Sequence, residues 1–352
     1  MNRNKWLGVL VVVAIVAVGA FLLWPRPPAK IVISNWDGYM PAELLQNFTK
    51  ETGIEAELAV HATNEEIMGK VTAGGGKGYD VLFVSSPFVE ALAKQGLIAE
   101  LDPGKIPNLA NLYPEARALA YDPNNKYSVP YAWGTTGICY RSDLVSPAPT
   151  SWMELLRPAD THKGKVTMLA TDRWLMAAGL KALGYSVNST NPEEIAQAKA
   201  LLIEAKQHLL AYDDTTFYSK LVSGEASMVQ AWDGWCNYGI AENAAIKFVV
   251  PREGSDMWVD TMVVTAASGN RDGAMAFIDY VLRPEVHRWV AENILYKVPN
   301  QVAMEALDPA LAQQYPNIAI SPAELMALEQ LRDLGDAQKT YTQTVTEITA
   351  SQ

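Results

Sequence analysis

The sequence predicts an α/β protein built as two lobes, and three observations carry that reading. From Lys30 onward, short apolar runs of strand character alternate with segments of helical period, opening β-α-β-α-β. Such an alternation folds as a largely parallel sheet covered by helices, with ligands taken up outside the carboxyl ends of the strands. An extended stretch, Tyr127-Ser-Val-Pro-Tyr-Ala-Trp-Gly134, then reads as chain crossing from this unit to a second one. The 352 residues suffice for two domains with cores of their own.

The elements follow in order. Trp6 to Trp24 carry no charge, and Arg3 and Lys5 precede them as in an export signal. As a helix the run spans roughly 28 Å, close to the hydrocarbon thickness of a bilayer. Val18-Gly19-Ala20 offers a small-residue cleavage site, yet the apolar run continues through Phe21–Trp24. Segment 1–29 is therefore expected to be an uncleaved anchor in the inner membrane, with a cleaved signal as the alternative. Ile31–Ser34 reads as a strand. Pro41–Thr52 reads as a helix with Leu44, Leu45 and Phe48 on one face and Gly53 as its stop. Glu55–Val60 is a second strand. Asn64–Ala73 is a second helix, with Asn64 as its cap and Glu65 and Glu66 in the first turn. Asp80–Val84 and Pro87–Gln95 complete the unit.

Beyond the crossing, Thr135–Tyr140 opens the second unit. Strands are predicted near Lys165–Leu169 and over Ala226–Trp232, Phe248–Pro251 and Trp258–Thr265. Helices are predicted near Leu175–Leu183, from Pro192 to about Leu210, and around Ala274, Phe277, Ile278 and Val281. The Thr-rich tail after Gln338 is expected to fray at its end.

Composition excludes several functions. Net charge is -11, and the first 30 residues hold four basic and no acidic side chains, so the body carries -15. Such a body repels nucleic acid and attracts cations. The four His stand in no metal-ligand spacing, and neither Gly-x-Ser-x-Gly nor Gly-x-Gly-x-x-Gly occurs. Gly74-Gly-Gly-Lys-Gly78 fails as a phosphate loop, because no Ser or Thr follows Lys77 and a strand comes next; it reads as a surface turn. Asp213-Asp214 reads as a solvated loop pair. No catalytic residue, metal or cofactor is predicted. Cys139 and Cys236 permit a single bridge in an oxidising compartment, but their separation cannot be read from sequence, and the balance falls narrowly toward two free thiols.

One stretch points to a ligand. Met257–Thr265 is an apolar run of strand character, and residues i and i+2 of a strand share a face. Trp258 and Asp260 thus set an aromatic ring beside a carboxylate. The ring attracts a cation through its quadrupole, and the carboxylate adds a charge-assisted hydrogen bond. That pair suits an ammonium group.

The chain resembles the periplasmic spermidine/putrescine-binding proteins, solute receptors of bacterial ABC importers. The matching stretches are Asn35-Trp36 with Tyr39, Phe48-Thr-Lys-Glu-Thr-Gly-Ile54, Tyr79-Asp80, Asp122-Pro-Asn-Asn125 and Tyr127–Tyr131. Further on they are Leu183-Gly-Tyr185, Trp258 with Asp260, and Tyr296 with Pro299-Asn300. The resemblance implies the type II two-lobe periplasmic-binding-protein fold, with a ligand cleft between lobes joined by crossing strands. Lobe one would be 30–134 plus 261–300, and lobe two 135–260 plus 301–352. It implies polyamine contacts at Trp36, Tyr39, Ser85, Trp232, Trp258, Asp260 and Tyr296.

There are departures from the family's pattern. Family members place an acidic pair in the loop before the Leu-Gly-Tyr helix. Here that loop is Thr171-Asp172-Arg173-Trp174, with Trp174 where a glutamate is expected and Asp172 the nearby acid. Asp37 stands where a hydroxyl residue is frequent, and Pro87 where a tyrosine sometimes occurs. Asp37 and Asp172 therefore join the predicted ligand contacts. The resemblance implies a monomeric, periplasmic, non-enzymatic binding protein that delivers a polyamine to an ABC permease. A membrane-anchored polyamine sensor acting on a signalling enzyme is the alternative, and a binder of another small cationic or organic solute the second.

Overall fold

The computed structural model describes residues 29–351. The expected anchor thus lies, apart from Ala29, outside the described residues. Among those described, no helix is long and apolar enough to cross a membrane.

The first unit forms as the alternation requires. It comprises β1 (Lys30–Asn35), α1 (Leu44–Thr52), β2 (Glu55–Val60), α2 (Asn64–Gly74), β3 (Val81–Ser85) and α3 (Ser86–Lys94). β1 lies parallel to β2 on one side and to β3 on the other. α1 buries Leu44 and Phe48, one turn apart, and stops at Gly53, whose φ of 72° is the left-handed conformation glycine adopts freely. α2 departs from expectation at its first turn. Thr63 is the cap, its side chain accepting from the Glu66 N–H, so the Asn64 side chain is left for another use.

The second unit comprises β4 (Ser128–Arg141), β5 (Val166–Met168), α4 (Asp172–Ala182), α5 (Pro192–Lys206), β6 (Leu209–Tyr212), β7 (Met228–Trp232) and α6 (Asp233–Glu242). After it come β8 (Ile246–Val249), β9 (Asp256–Val264), α7 (Arg271–Val281), β10 (Glu329–Gln330) and α8 (Ala337–Ala350). The strand order is β2-β1-β3-β9-β4-β7-β5-β6, with β8 alongside β4 and β10 alongside β9.

β4 and β9 tie the halves together. Ser128–Thr135 of β4 pairs antiparallel with β9, while Thr136–Tyr140 pairs with β7 and Ile138–Arg141 with β8. The crossing segment and the strand expected to open the second unit are therefore one continuous strand. β6 was expected to be the last turn of the preceding helix; it pairs parallel with β5 instead.

One further expectation, that of two free thiols, is corrected. Cys139 on β4 and Cys236 in α6 are bridged, their Cα atoms 5.9 Å apart. The tail is an ordered helix, α8, which buries Tyr341, Val345 and Ile348 at i, i+4, i+7. Those three join the core formed by α4, α5 and β5, so packing outweighs the low helix propensity of the threonines.

Candidate functional site

The site gathers at the carboxyl ends of β1 and β3, where β3 meets β9. Asp260 is opposite Ser85 in the antiparallel β3–β9 pair and opposite Ala132 in β4. Trp258 is opposite Gly134, and Trp232 of β7 is opposite Thr136. Paired residues share a face, as do residues two apart, so Ser85, Asp260, Trp258 and Trp232 project from one side of the sheet.

Asp260 is the electrostatic centre. The Ser85 hydroxyl donates to its Oδ1 at 2.6 Å, and the Tyr39 hydroxyl to its Oδ2 at 2.9 Å. Burial pushes its carboxyl up to about 6, a shift that these two hydrogen bonds restrain. Its side chain still reaches solvent in part. Tyr39 is held from behind: its carbonyl accepts from the Tyr131 hydroxyl at 2.7 Å, and the Tyr131 carbonyl lies 2.8 Å from His287 Nε2.

Aromatic rings surround the carboxylate in an edge-to-face series. Trp36 and Tyr39 are 5.6 Å apart, Tyr39 and Tyr296 5.3 Å, and Tyr296 and Trp258 5.5 Å between centroids. Two glycines make room for it. A Cβ on Gly134 would overlap Trp258 and the Asp233 carboxylate, and one on Gly234 would overlap the Tyr296 ring. Asp233 lies beneath, buried, accepting from the Gly234 N–H at 2.9 Å and the Thr135 N–H at 3.3 Å. Burial raises its carboxyl to about 8.

Trp232 stands apart from this series, its ring 5.6 Å from Trp174 and 6.3 Å from Phe217. The remaining predicted residues lie at the margins. Asp37 is exposed at the loop tip. Asp172 begins α4, and its Oδ2 accepts from the Thr342 hydroxyl of α8 at 2.5 Å.

Other residues of the site were not picked out from the sequence. Asp214 is half-buried and not simply solvated, its Oδ1 accepting from the Ala170 N–H at 2.8 Å. Glu65 stands in the first turn of α2. Its side chain is exposed. Desolvation raises the Glu65 carboxyl, a backbone hydrogen bond opposes this, and the Asp172 and Asp214 charges raise it further. Asp172 and Asp214 thus each lie within electrostatic reach of Glu65. The adjacency of Glu65 to a helix start after a strand was the one sequence signal for it. Asn64 was read as a cap; it is instead hydrogen-bonded twice to Ser85.

Comparisons with known proteins identify the family and the fold. Residues 43–320 match the family described as bacterial extracellular solute-binding protein. The chain is 32% identical over 343 residues to a spermidine/putrescine-binding periplasmic protein of Salmonella typhimurium, covering 96% of this chain and 97% of the relative. It is 33% identical over 310 residues to the Escherichia coli protein of the same description, covering 88% of each. Among solved structures, a putative spermidine/putrescine ABC transporter protein from Listeria monocytogenes superposes with a TM-score of 0.86 at 29% identity, covering 92% of this chain and 99% of that one.

Proposed function

Because the chain belongs to the bacterial extracellular solute-binding proteins, whose members bind solutes and are not enzymes, we propose that its cleft binds a polyamine and presents it to an ABC importer. The observation that carries this reading is the polarity of the Asp260 cluster. Both neighbouring hydroxyl protons point at the carboxylate, so only lone pairs face outward. An ammonium group, which has donors and no acceptor, is complementary to such a surface. Trp36, Tyr39, Trp258 and Tyr296 wall the methylene chain and add cation–π attraction, roughly 0.5–2 kcal/mol for each favourable contact. Trp232 extends the wall, and Glu65, Asp172 and Asp214 meet a second ammonium. Asp37 lies at the rim. The apolar run of residues 6–24 supports export across the inner membrane, and the family is a periplasmic one.

Calorimetric titration with di-, tri- and tetra-amines, against amino acids and sugars, tests the reading. A preference for the amines is expected, and binding of a sugar or a neutral amino acid alone would sink it. The pH dependence has a definite sign. Free Asp260 titrates at about 6, and a bound cation holds it ionised, so its pKa falls on binding. Affinity should be full above pH 6 and fall as pH drops below 6, by up to about tenfold per unit. A flat profile between pH 7 and 5 would argue against Asp260 as the partner.

We also take the two halves of the sheet as lobes, 30–134 plus 261–300 and 135–260 plus 301–352, hinged on the shared strands β4 and β9. Closure on ligand is the motion that such a pair of halves permits. Small-angle scattering should then give a smaller radius of gyration with spermidine than without. Proven binding with an unchanged radius would count against a hinge.

A further inference from the structure

The Asn64 side chain does not cap the helix it begins. Its Oδ1 accepts from the Ser85 backbone N–H at 2.9 Å, and its Nδ2 donates to Ser85 Oγ at 3.0 Å. The backbone N–H is a donor only, so the amide has one orientation that works, oxygen toward the backbone and nitrogen toward the hydroxyl. The second bond then decides where the serine proton goes. Ser85 Oγ, already accepting from Asn64, is 2.6 Å from Asp260 Oδ1, and its single proton is directed at the carboxylate. Asn64 and Ser85 are both buried, so water does not compete for these bonds.

We infer that Asn64 is a positioning residue for ligand recognition: by donating to Ser85 it fixes the hydroxyl proton on Asp260 and keeps this end of the site an acceptor-only surface. The inference rests on the reading of Asp260 as an ammonium partner. It adds that selectivity for a cation is set by a residue of α2 placed behind the ligand-facing groups. Without Asn64 the serine proton is free to turn outward, where it would repel an ammonium and attract an acceptor.

A double-mutant cycle tests this, with spermidine titrated calorimetrically into wild type, N64A, S85A and N64A/S85A. Loss of one such hydrogen bond is expected to weaken binding about 3- to 10-fold in the N64A protein. In the S85A background the same change should cost less than about twofold, because the hydroxyl that it orients is gone. Equal losses in both backgrounds would mean that Asn64 only supports α2, and an N64A affinity within about twofold of wild type would also overturn the inference.

A second readout needs no ligand. N64D offers only acceptors, so it should draw the Ser85 proton away from Asp260. The Asp260 carboxyl, followed by carbon NMR in the empty protein, should titrate higher in N64D. Charge repulsion alone raises it equally with or without Ser85, so the expected result is a larger rise with the hydroxyl present than in S85A. Equal rises would overturn the positioning role. Absence of spermidine binding by wild type would instead refute the polyamine reading, and the NMR comparison would still decide on Asn64.

Discussion

Replacing Asp260 with asparagine is expected to weaken polyamine binding by about 30- to several-thousand-fold. The substitution keeps the shape and removes the charge, leaving a desolvated ammonium without its partner. Such a loss typically costs about 2–5 kcal/mol. Trp258→Ala, by contrast, removes a wall and no particular charge partner, so it should weaken all cationic ligands more evenly. The empty protein should respond in the opposite sense. The Asp260 carboxyl titrates at about 6, above its ordinary 3.8, so its ionisation opposes folding. That penalty is absent below pH 3.8, grows between 3.8 and 6, and is fully present above 6. At neutral pH Asp260→Asn should therefore leave the melting temperature of the empty protein unchanged or raise it. If Asp260 served only to hold β9 against β3 and α1's leading loop, the reverse pattern would appear: a lower melting temperature, with affinity within about twofold. Calorimetric titration paired with thermal unfolding of the same variant separates the two.

The sequence carried most of the first unit because its signals are local. Period, length and capping residues mark β1 through α3 within a residue or two, apart from α1, which begins at Leu44 and not at Pro41. It failed where a tertiary neighbour decides. β4 changes partners at Thr136 without a break in its apolar pattern, so nothing in the residues distinguishes a crossing followed by a new strand from one long strand. Leu209 and Leu210 prolong the spacing of α5, and only the pairing with β5 makes them a strand. Thr63 and Asn64 are both good caps, and the choice between them is settled by Ser85, 21 residues on. At the site, Trp258 and Asp260 were legible because strand geometry alone puts them on one face. Glu65 and Asp214 were not, since only the fold brings the start of α2 within reach of the Asp172 and Asp214 charges. Trp174 shows the same limit: it occupies the place where the resemblance implies a glutamate, and its ring packs against Trp232.

Removing the Cys139–Cys236 bridge should destabilise the protein by about 2–5 kcal/mol, near the upper end for a loop of this length. The bridge spans 97 residues of sequence, and the segment that it encloses holds β5, α4, α5, β6 and β7. In the unfolded chain the closed loop restricts much of the second unit, which is where the stabilisation arises. Both sulfurs are buried in the folded protein, so the bridge resists reductant until the unit opens. The effect also has a functional side. Cys236 lies four residues beyond Trp232, in the helix whose first residue, Asp233, supports Gly234 beneath Tyr296. Loosening α6 from β4 should thus disturb the wall at Trp232 and Tyr296 before it disturbs Asp260, which is carried by β9. Urea unfolding of the Cys139→Ala/Cys236→Ala double variant should show a lower midpoint with a steeper slope, because the unfolded chain without the bridge exposes more surface. Its spermidine affinity should fall by less than that of Asp260→Asn, because the charge partner remains in place. Titration of the denatured, unreduced wild-type chain should find no free thiol; two free thiols would remove the basis for both effects.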